Sequence, residues 1–257
     1  MSGVAVSDSE MKVILITGGT GSIGKEIAAQ ALAAGWAVVI QGRSQASVEA
    51  CVAELGSGPV KTVIADIKQP GAVEQLVADA AACFGRIDAV VDCLVTGPES
   101  GGIVGSFEVT DPLAYGPFME LSIVYLQRLA LAALPWLKQR GGCLVAFASD
   151  AGLFAAPRQT LIGAARAATV GFVRNLAMDV ARDGVRVHCI SPSFVDDTST
   201  ARKLEAARPE RLAAARKKAG LGLPTAKDIA PVVIFLCGDG ARRMTGQVIS
   251  INGGLNA

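Results

Sequence analysis

The sequence predicts an α/β fold: a single domain built on a doubly wound sheet of about seven parallel strands, with helices on both faces. Three observations predict it. Short apolar runs that fit buried strands alternate with segments of helical period along the chain. Tight turns separate them, and glycine supplies 29 of the 257 residues. No linker, internal repeat or low-complexity stretch divides the sequence, so residues 1–257 are expected to form one domain.

Strands are expected where a short apolar run ends in glycine or polar residues. Seven runs have this pattern: 12–17, 37–41, 60–65, 87–95, 143–148, 185–191 and 247–252. Parallel strands place their carboxyl ends at the same edge of the sheet, and ligands of such sheets bind beyond that edge. We therefore expect functional residues in the segments that follow the strands.

Helices are expected between the strands, where apolar residues recur at three- and four-residue intervals. The predicted helices span 22–34, 44–55, 71–84, 117–138, 160–183 and 226–237. A polar, glycine-rich segment, 96–105, follows the fourth strand. An insert at about 194–223 is rich in charged residues, and we expect it to form a helical lid.

The charge balance argues against two classes of partner. A net charge of +1 disfavours both a nucleic-acid-binding surface and electrostatic docking on a membrane. Basic residues cluster between 202 and 218, but they alternate with Ala and Glu at helical spacing, which is typical of a solvated helix face. The longest apolar stretch, 129–137, is about half of what a membrane span needs. No nucleic-acid or membrane partner is expected.

The cysteine pattern indicates a reducing compartment. None of the six cysteines forms a C-x-x-C pair, and most lie in apolar runs, as small buried hydrophobic residues do. No metal site is expected. The first ten residues lack the basic-then-apolar pattern of a signal peptide. We expect a soluble, cytoplasmic protein.

A nucleotide-binding fingerprint follows the first strand. Small residues in a turn between a strand and a helix let the backbone approach a pyrophosphate, and the helix offers unpaired N–H groups at its amino end. The expected cofactor contacts in this turn are Thr17, Gly18, Thr20, Gly21, Ser22, Ile23 and Gly24. The alternative is a glycine-rich turn without a ligand. The βαβ pattern around the turn favours the dinucleotide.

The end of the second strand favours NADP(H) over NAD(H). An acidic residue at this place would bind the ribose 2′-hydroxyl of NAD, but none occurs between Gln41 and Gln45. Arg43 is suited to pair with a 2′-phosphate, and Ser44 can add a hydroxyl. The alternative for Arg43 is an ordinary solvent-facing side chain.

These features together resemble the short-chain dehydrogenase/reductase family, whose fold is of the Rossmann type. The glycine turn is similar to a T-G-x-x-G-x-x-G form of the family motif. Asp66-Ile67 resembles the family's adenine-contacting Asp-Val pair, and residues 244–254 resemble its T-G-Q-x-I-x-V-D-G-G ending. The resemblance covers about residues 11–255. It further implies cofactor contacts at Cys93, Pro192 and Val195.

The resemblance breaks down at the catalytic positions. Ser149 ends the fifth strand, where the family has its catalytic Ser. Ile162 stands thirteen residues later, in place of the catalytic Tyr, and Arg166 replaces the Lys four residues beyond it. Ser122 takes the place of the helical Asn. No shift of alignment restores the motif, because the only tyrosines, at 115 and 125, lie upstream.

The substitutions remove the family's proton donor. Isoleucine has no proton to give, and general acid catalysis is worth about 10²–10⁴ in rate. Arg166 keeps a positive charge that can hold the nicotinamide ribose, but a guanidinium does not titrate at working pH. Asp150, next to Ser149, and Tyr125, on the same helix face as Ser122, are candidate replacements. A loop or cap role for Asp150 and a packing role for Tyr125 are the alternatives.

Three functions remain open. The first is an atypical NADP(H)-dependent oxidoreductase for a lipophilic, cyclic or polycyclic ketone or alcohol, since Ile162 makes the pocket apolar. The second is a catalytically silent nucleotide-binding subunit or regulator. The third is a non-redox enzyme on the same scaffold, as in the halohydrin dehalogenases, which resemble this chain in having Arg at the Lys position. The family also implies a homodimer or homotetramer formed through helices 117–138 and 160–183.

Overall fold

A seven-stranded parallel sheet organises the structure, a computed structural model that describes residues 11–94 and 102–256. Its order is β3-β2-β1-β4-β5-β6-β7, and neighbouring strands are parallel throughout. The strands are β1 (Val13–Thr17), β2 (Ala37–Gly42), β3 (Val60–Ile64), β4 (Ala89–Asp92), β5 (Cys143–Phe147), β6 (Arg186–Pro192) and β7 (Val248–Ile251). The order reverses between β1 and β4, where a crevice opens at the carboxyl ends of the strands. The predicted fold class is confirmed.

Helices cover both faces of the sheet. They are α1 (Ser22–Ala33), α2 (Gln45–Leu55), α3 (Ala72–Phe84), α4 (Tyr115–Met119), α5 (Tyr125–Lys138), α6 (Thr160–Val180), α7 (Ser199–Ala207), α8 (Pro209–Lys218) and α9 (Ala226–Cys237). The predicted strands and helices are present with ends shifted by a few residues. Val95 and most of the predicted polar segment 96–105 lie outside the described residues.

The core consists of two apolar layers, one on each side of the sheet. Every residue of β1 is buried, because successive side chains point to opposite faces and both faces are covered. Val13 and Leu15 pack in the layer that contains residues of α3, α5 and α6. Ile14 and Ile16 pack in the layer that contains residues of α1 and α9. Each such side chain contributes about 1.5–3 kcal/mol by leaving water.

The predicted long helix 117–138 is helical throughout but is not a regular α-helix. Residues Glu120–Val124, between α4 and α5, form a π-helical turn, and this turn contains the buried Ser122. Short π-helical turns inside longer helices often occur at functional sites. A regular apolar period does not report such a wide turn, which is why the sequence predicted one regular helix.

Among the residues that the structure describes, one helical run would pass for a membrane span by length and composition. It comprises residues Pro112–Lys138 and is longer than the apolar stretch seen in the sequence. Within it, Leu126, Leu129 and Ala133 of α5 are buried in the core layer beside β1. The run is therefore part of the domain core.

The charged insert folds into α7 and α8. Side-chain contacts of α8 hold the insert to the rest of the structure. Arg216 donates to both carboxylate oxygens of Asp196, at 3.2 and 3.0 Å, and to Glu205 at 2.7 Å. These bonds tie α8 to α7 and to the segment after β6. Ala215 packs against Leu255 near the end of the chain. That the insert acts as a lid stays a prediction.

Candidate active site

The turn after β1 has a backbone shape that only glycine fits. Gly18 has a φ of 63°, in the left-handed region, and a Cβ added to it would lie 2.9 Å from the carbonyl oxygen of Cys93. A Cβ on Gly24 would lie 2.7 Å from the carbonyl oxygen of Gly18. The first turn of α1 therefore packs tightly against the loop before it, and the chain presents backbone rather than side chains there.

The amino end of α1 forms an anion cradle beside this turn. The N-cap residue of α1 is Gly21, and no side chain among the described residues accepts a capping hydrogen bond from the first turn. The first turn also contains no acidic residue. Gly21, Ser22, Ile23 and Gly24 line a cavity. Free N–H groups and the positive end of the helix dipole attract anions. The residues present therefore fit the pyrophosphate of a dinucleotide.

Gln41 holds the glycine turn in place. Its side chain is almost fully buried; Oε1 accepts a 2.8 Å hydrogen bond from the N–H of Gly18, and Nε2 donates one of 2.8 Å to the carbonyl oxygen of Ala65. The amide thus ties the turn to the ends of β2 and β3. Gln41 was not among the site residues predicted from the sequence. The available signal was an amide side chain at the end of an otherwise apolar strand.

The end of β2 has no room for an acidic side chain at Gly42. A Cβ there would lie 2.6 Å from Cγ1 of Val48 and 2.9 Å from Cγ2 of Thr20. Arg43, the next residue, is exposed. Ser44 caps α2 by accepting from the N–H of Ser47 at 3.4 Å. The chain thus places a guanidinium just beyond the strand, and the sequence has no acidic residue between Gln41 and Gln45.

Asp66 and Ile67 follow β3 at the same edge of the sheet. Asp66 is exposed and accepts a 3.1 Å bond from the N–H of Lys68, while Ile67 is half-buried against the core. Like Arg43 and Ser44, they lie outside the lining of the cavity, so their role as cofactor contacts remains a prediction.

The cavity has a volume of about 300 Å³ and lies at the carboxyl ends of the central strands. It brings together many of the predicted residues from distant parts of the sequence. Its lining includes Gly21, Ser22, Ile23, Gly24, Cys93, Ser149, Ile162, Arg166, Pro192 and Val195. Apolar side chains supply much of the remaining wall, among them Leu94, Phe147, Phe194 and Leu204. A cradle for phosphates and an apolar chamber thus belong to one cavity.

Ser149 reaches the cavity from the end of β5. It caps a 3₁₀ turn, Asp150–Gly152, by accepting from the N–H of Ala151 at 3.4 Å. Its hydroxyl proton is not used in that bond. Two glycines let α6 approach this turn: a Cβ on Gly152 would lie 2.6 Å from the carbonyl carbon of Arg166, and one on Gly163 would lie 2.8 Å from the carbonyl oxygen of Ala151. Close packing therefore fixes Ser149 relative to α6.

Arg166 supplies the positive charge in the cavity lining. Asp92 is the carboxylate whose charge has the largest effect on the pKa of Arg166. Burial lowers the pKa of Arg166, whereas the charge of Asp92 raises it. Burial likewise raises the pKa of Asp92, opposed mainly by the hydrogen bond from Thr17 and in part by the charge of Arg166. A guanidinium stays charged despite such a shift. The site thus keeps a fixed positive charge where the resembling family has a lysine.

Tyr125 lies in the core rather than in the cavity. Its side chain is buried, and its hydroxyl has no hydrogen-bond partner that meets geometric criteria among the described residues. Burial and the nearby charge of Asp92 raise the pKa of this phenol well above its usual range. Tyr125 and the buried Ser122 both lie outside the cavity lining, so a direct part for either in proton transfer lacks geometric support.

Asp150 has a structural role, as in the loop or cap alternative given above, but it is buried rather than solvated. Its carboxylate accepts from four side chains: Ser191 at 3.3 Å, Ser250 at 3.2 Å, Asn252 at 2.6 Å and Asn256 at 3.2 Å. The expectation of a proton donor opening on the pocket is therefore corrected. The carboxylate faces away from the cavity and holds the end of the chain against β6 and β7.

His188 is also unsuited to act as a base. It is fully buried in β6, and neither ring nitrogen has a hydrogen-bond partner that meets geometric criteria within the described part of the chain, although the nearby backbone of Met244 opposes the lowering of its pKa. Burial, with a smaller effect of the charge on Arg186, lowers the pKa of His188 to about 4. The described residues also contain no group of three His, Cys, Asp or Glu side chains that could hold a metal ion.

Comparison with known proteins finds similar proteins over nearly the whole chain. A family model described as Enoyl-(Acyl carrier protein) reductase matches residues 18–256. A 2-(S)-hydroxypropyl-CoM dehydrogenase 3 of Xanthobacter autotrophicus is 31% identical over 254 residues, which cover 96% of this chain and 97% of that protein. A hexahydro-1H-indene-carboxyl-CoA reductase of Mycobacterium tuberculosis is 30% identical, covering 98% of this chain and 95% of the relative.

Solved structures are similar over the same length. A crystal structure from Brucella melitensis, described as a short-chain dehydrogenase/reductase of the glucose/ribitol dehydrogenase type, is 29% identical with a TM-score of 0.83. It covers 96% of this chain and 97% of its own. A short-chain type dehydrogenase/reductase from Mycobacterium ulcerans is 26% identical with a TM-score of 0.86, covering 95% of this chain and 89% of its own.

Proposed function

The chain belongs to the short-chain dehydrogenase/reductase family, and on this premise we propose that it transfers a hydride between NADP(H) and a lipophilic ketone or alcohol without the usual tyrosine. The family consists of oxidoreductases that use NAD or NADP. The observation that carries the proposal is that the phosphate cradle, Ser149 and Arg166 line the same largely apolar cavity. The cofactor, when bound, supplies or accepts the hydride.

Ser149 is the proposed hydrogen-bond donor to the reacting oxygen. Its hydroxyl lines the cavity, and its oxygen is held by the N–H of Ala151. A donor fixed in this way stabilises negative charge that develops on a carbonyl oxygen during reduction. The family's catalytic Ser occupies the same position, so this part of the site is retained.

Arg166 is proposed to hold charge rather than to transfer a proton. A guanidinium donates several hydrogen bonds but does not release a proton at working pH. It can therefore bind ribose hydroxyls and stabilise the reacting oxygen. The proton itself is then supplied by water, by Ser149 or by a hydroxyl of the substrate, since Ile162 has none to give.

The apolar wall favours a lipophilic substrate. Ile162 lines the cavity and also packs with Phe118 and Ile103 in a small apolar cluster. A tyrosine hydroxyl would have made this wall polar. A ring system or acyl chain fits such a wall, because burial of apolar surface favours binding by about 25 cal/mol per Å².

NADP(H) is the proposed cofactor in preference to NAD(H). Arg43 is exposed beyond β2, and the crowding at Gly42 leaves no place for an acid that would repel a 2′-phosphate. Arginine binds phosphate through paired N–H donors. Ser44 remains able to accept or donate one further bond.

We also propose that the protein forms a homo-oligomer and is located in the cytoplasm. Leu131 of α5 and Met178 of α6 are large apolar side chains that are 72% and 76% exposed. The exposed face of α6 also carries the small residues Ala164, Ala167 and Ala168. Such a surface permits close contact between two copies of the chain.

A catalytically silent nucleotide-binding subunit is the second candidate. The observation that favours it is that Tyr125 and Asp150 do not line the cavity, and that its lining, as far as the structure describes it, contains no carboxylate, histidine or tyrosine side chain. Titration with NADPH, followed by NADPH oxidation with a panel of lipophilic ketones, separates the two. Binding with turnover supports the oxidoreductase, and binding without turnover supports the silent subunit.

A further inference from the structure

An open hollow at the surface of the protein is lined by three arginines. Arg158 comes from the loop before α6, Arg208 from the junction of α7 and α8, and Arg211 from α8. Pro157 and Glu210 complete the lining. Two segments far apart in sequence thus bring three guanidinium groups to one place, and a single carboxylate accompanies them.

The three arginines form no ion pair among the residues that the structure describes. Their neighbour on α8, Arg216, is in contrast paired with Asp196 and Glu205. The basic run 202–218 is therefore not a uniform solvated face. Arg216 crosslinks the insert. Arg208 and Arg211 instead meet Arg158, and Glu210 is the single carboxylate in the lining beside these three positive charges.

The backbone at Arg158 is held in an unusual conformation. Its φ is 64°, in the left-handed region that residues other than glycine rarely adopt. Its carbonyl oxygen accepts a 3.1 Å hydrogen bond from the N–H of Gly105. Such backbone strain persists where the surrounding structure enforces it and tends to occur at binding sites.

Phe194 links the hollow to the cavity. It lines the cavity, and the guanidinium carbon of Arg211 lies 5.7 Å from the centroid of its ring. One of the three arginines is therefore packed against a side chain of the cavity wall. A substrate whose apolar part occupies the cavity would have to extend past Phe194 to reach the arginines.

We propose that Arg158, Arg208 and Arg211 bind an anionic group, carboxylate or phosphate, at the far end of the substrate. This rests on the proposed function, because it assumes that the substrate's apolar part occupies the cavity. Guanidinium groups bind carboxylate and phosphate through paired hydrogen bonds, and three of them favour such an anion over a neutral polar group. The substrate class becomes a lipophilic ketone or alcohol that carries a negative charge.

Calorimetric titrations with octyl phosphate, octanoate and octanol test the proposal, with and without saturating NADPH. At least one of the two anions is expected to bind more tightly than octanol, and the comparison of the two shows which anion is preferred. In the triple variant Arg158→Gln, Arg208→Gln, Arg211→Gln this advantage should fall by about tenfold or more. Lys217→Gln, an exposed basic position on α8 outside the hollow, is the matched control and should keep it.

Three results would overturn the proposal. The first is equal affinity for octanol and both anions. The second is an anion preference that survives in the triple variant, since the phosphate cradle of α1 would then explain it. The third is inorganic phosphate competing as strongly as octyl phosphate, since the hollow would then take a free anion. Absence of NADPH binding would count against the proposed function alone, because the titrations without NADPH still score the anion preference.

Discussion

The hydroxyl of Thr17 donates a 2.7 Å hydrogen bond to Oδ1 of Asp92 and joins the ends of β1 and β4 beside the glycine turn. The N–H of Leu94 approaches the same oxygen at 3.3 Å. Both contacts lie where the strand order of the sheet reverses. The bond between Thr17 and Asp92 therefore fixes the ends of β1 and β4 beneath the candidate site. Burial raises the pKa of Asp92 and so disfavours its charged form. We therefore attribute the contribution of Asp92 to stability to its hydrogen bonds rather than to its charge.

Asp92→Ala and Asp92→Asn separate these two contributions. Asp92→Ala leaves the buried hydroxyl of Thr17 without its acceptor, and the free energy of unfolding should fall by about 1–3 kcal/mol in urea denaturation. Asp92→Asn retains an acceptor oxygen and should lose clearly less. Equal losses in the two variants would show that the attraction between Asp92 and Arg166 matters more than the hydrogen bond.

Arg43 is expected to set the cofactor preference. Arg43→Ala should weaken NADPH binding by about tenfold, because a charge-assisted hydrogen bond contributes about 1.5–3 kcal/mol, and it should leave NADH binding nearly unchanged. Fluorescence titration measures both affinities. Arg140→Ala, which removes an exposed arginine beyond the end of α5, is the control for a general change of charge. Equal affinity of the parent protein for NADPH and NADH would refute the NADP(H) assignment.

The exposed faces of α5 and α6 are expected to form the contact between copies. Leu131→Arg and Met178→Arg should each shift the protein toward monomer in sedimentation velocity, because a charge would be buried in the contact. Leu221→Arg is the matched control, since Leu221 is 91% exposed but lies after α8. A parent protein that sediments only as monomer at micromolar concentration would rule out the oligomer.

His188 should make the fold sensitive to moderate acid. Its pKa is lowered to about 4 from an ordinary value of 6.5, because it is buried. The neutral form therefore stabilises the fold fully above pH 6.5, and this contribution is lost as pH falls toward 4. The loss should reach about 3 kcal/mol of unfolding free energy. His188→Leu should flatten the pH dependence over this range.

The titration of His188 can be followed without assignment, because the sequence contains one histidine. Its imidazole carbon-bound protons should keep their neutral chemical shifts in NMR spectra down to pH 5. A midpoint near pH 6.5 in the folded protein would contradict the burial argument.

Much of the fold could be predicted because most central strands are covered on both faces and appear in the sequence as apolar runs. Even β3, at the edge of the sheet and with Lys61 and Thr62 exposed, kept enough apolar residues to be recognised. The π-helical turn Glu120–Val124 could not be predicted, because the apolar spacing on either side of it remains helical. The spacing of apolar residues thus predicts which strands are buried, but it does not distinguish a π-helical turn from an α-helix.

The candidate site was predictable where motifs are local and not where contacts are long-range. The glycine turn could be located from neighbouring residues alone, and Ser149 from the resemblance to the family, which has its catalytic Ser at the end of the fifth strand. Asp150, by contrast, is bound by Asn252 and Asn256, about a hundred residues later in the chain. Nothing near Asp150 in the sequence indicates these partners. The arginine hollow escaped notice for the same reason, since Arg158 meets Arg208 and Arg211 only in the folded chain.

The most direct test of the account is turnover of Ser149→Ala beside Ile162→Ala, measured as NADPH oxidation with the ketone that the parent protein reduces best. Ser149→Ala should lower kcat by about 10²–10³, because it removes the fixed donor to the reacting oxygen. Ile162→Ala should chiefly change KM and the order of preference among ketones, because it alters the apolar wall. Full turnover by Ser149→Ala, or a parent protein that binds NADPH and reduces no ketone, would contradict the central claim.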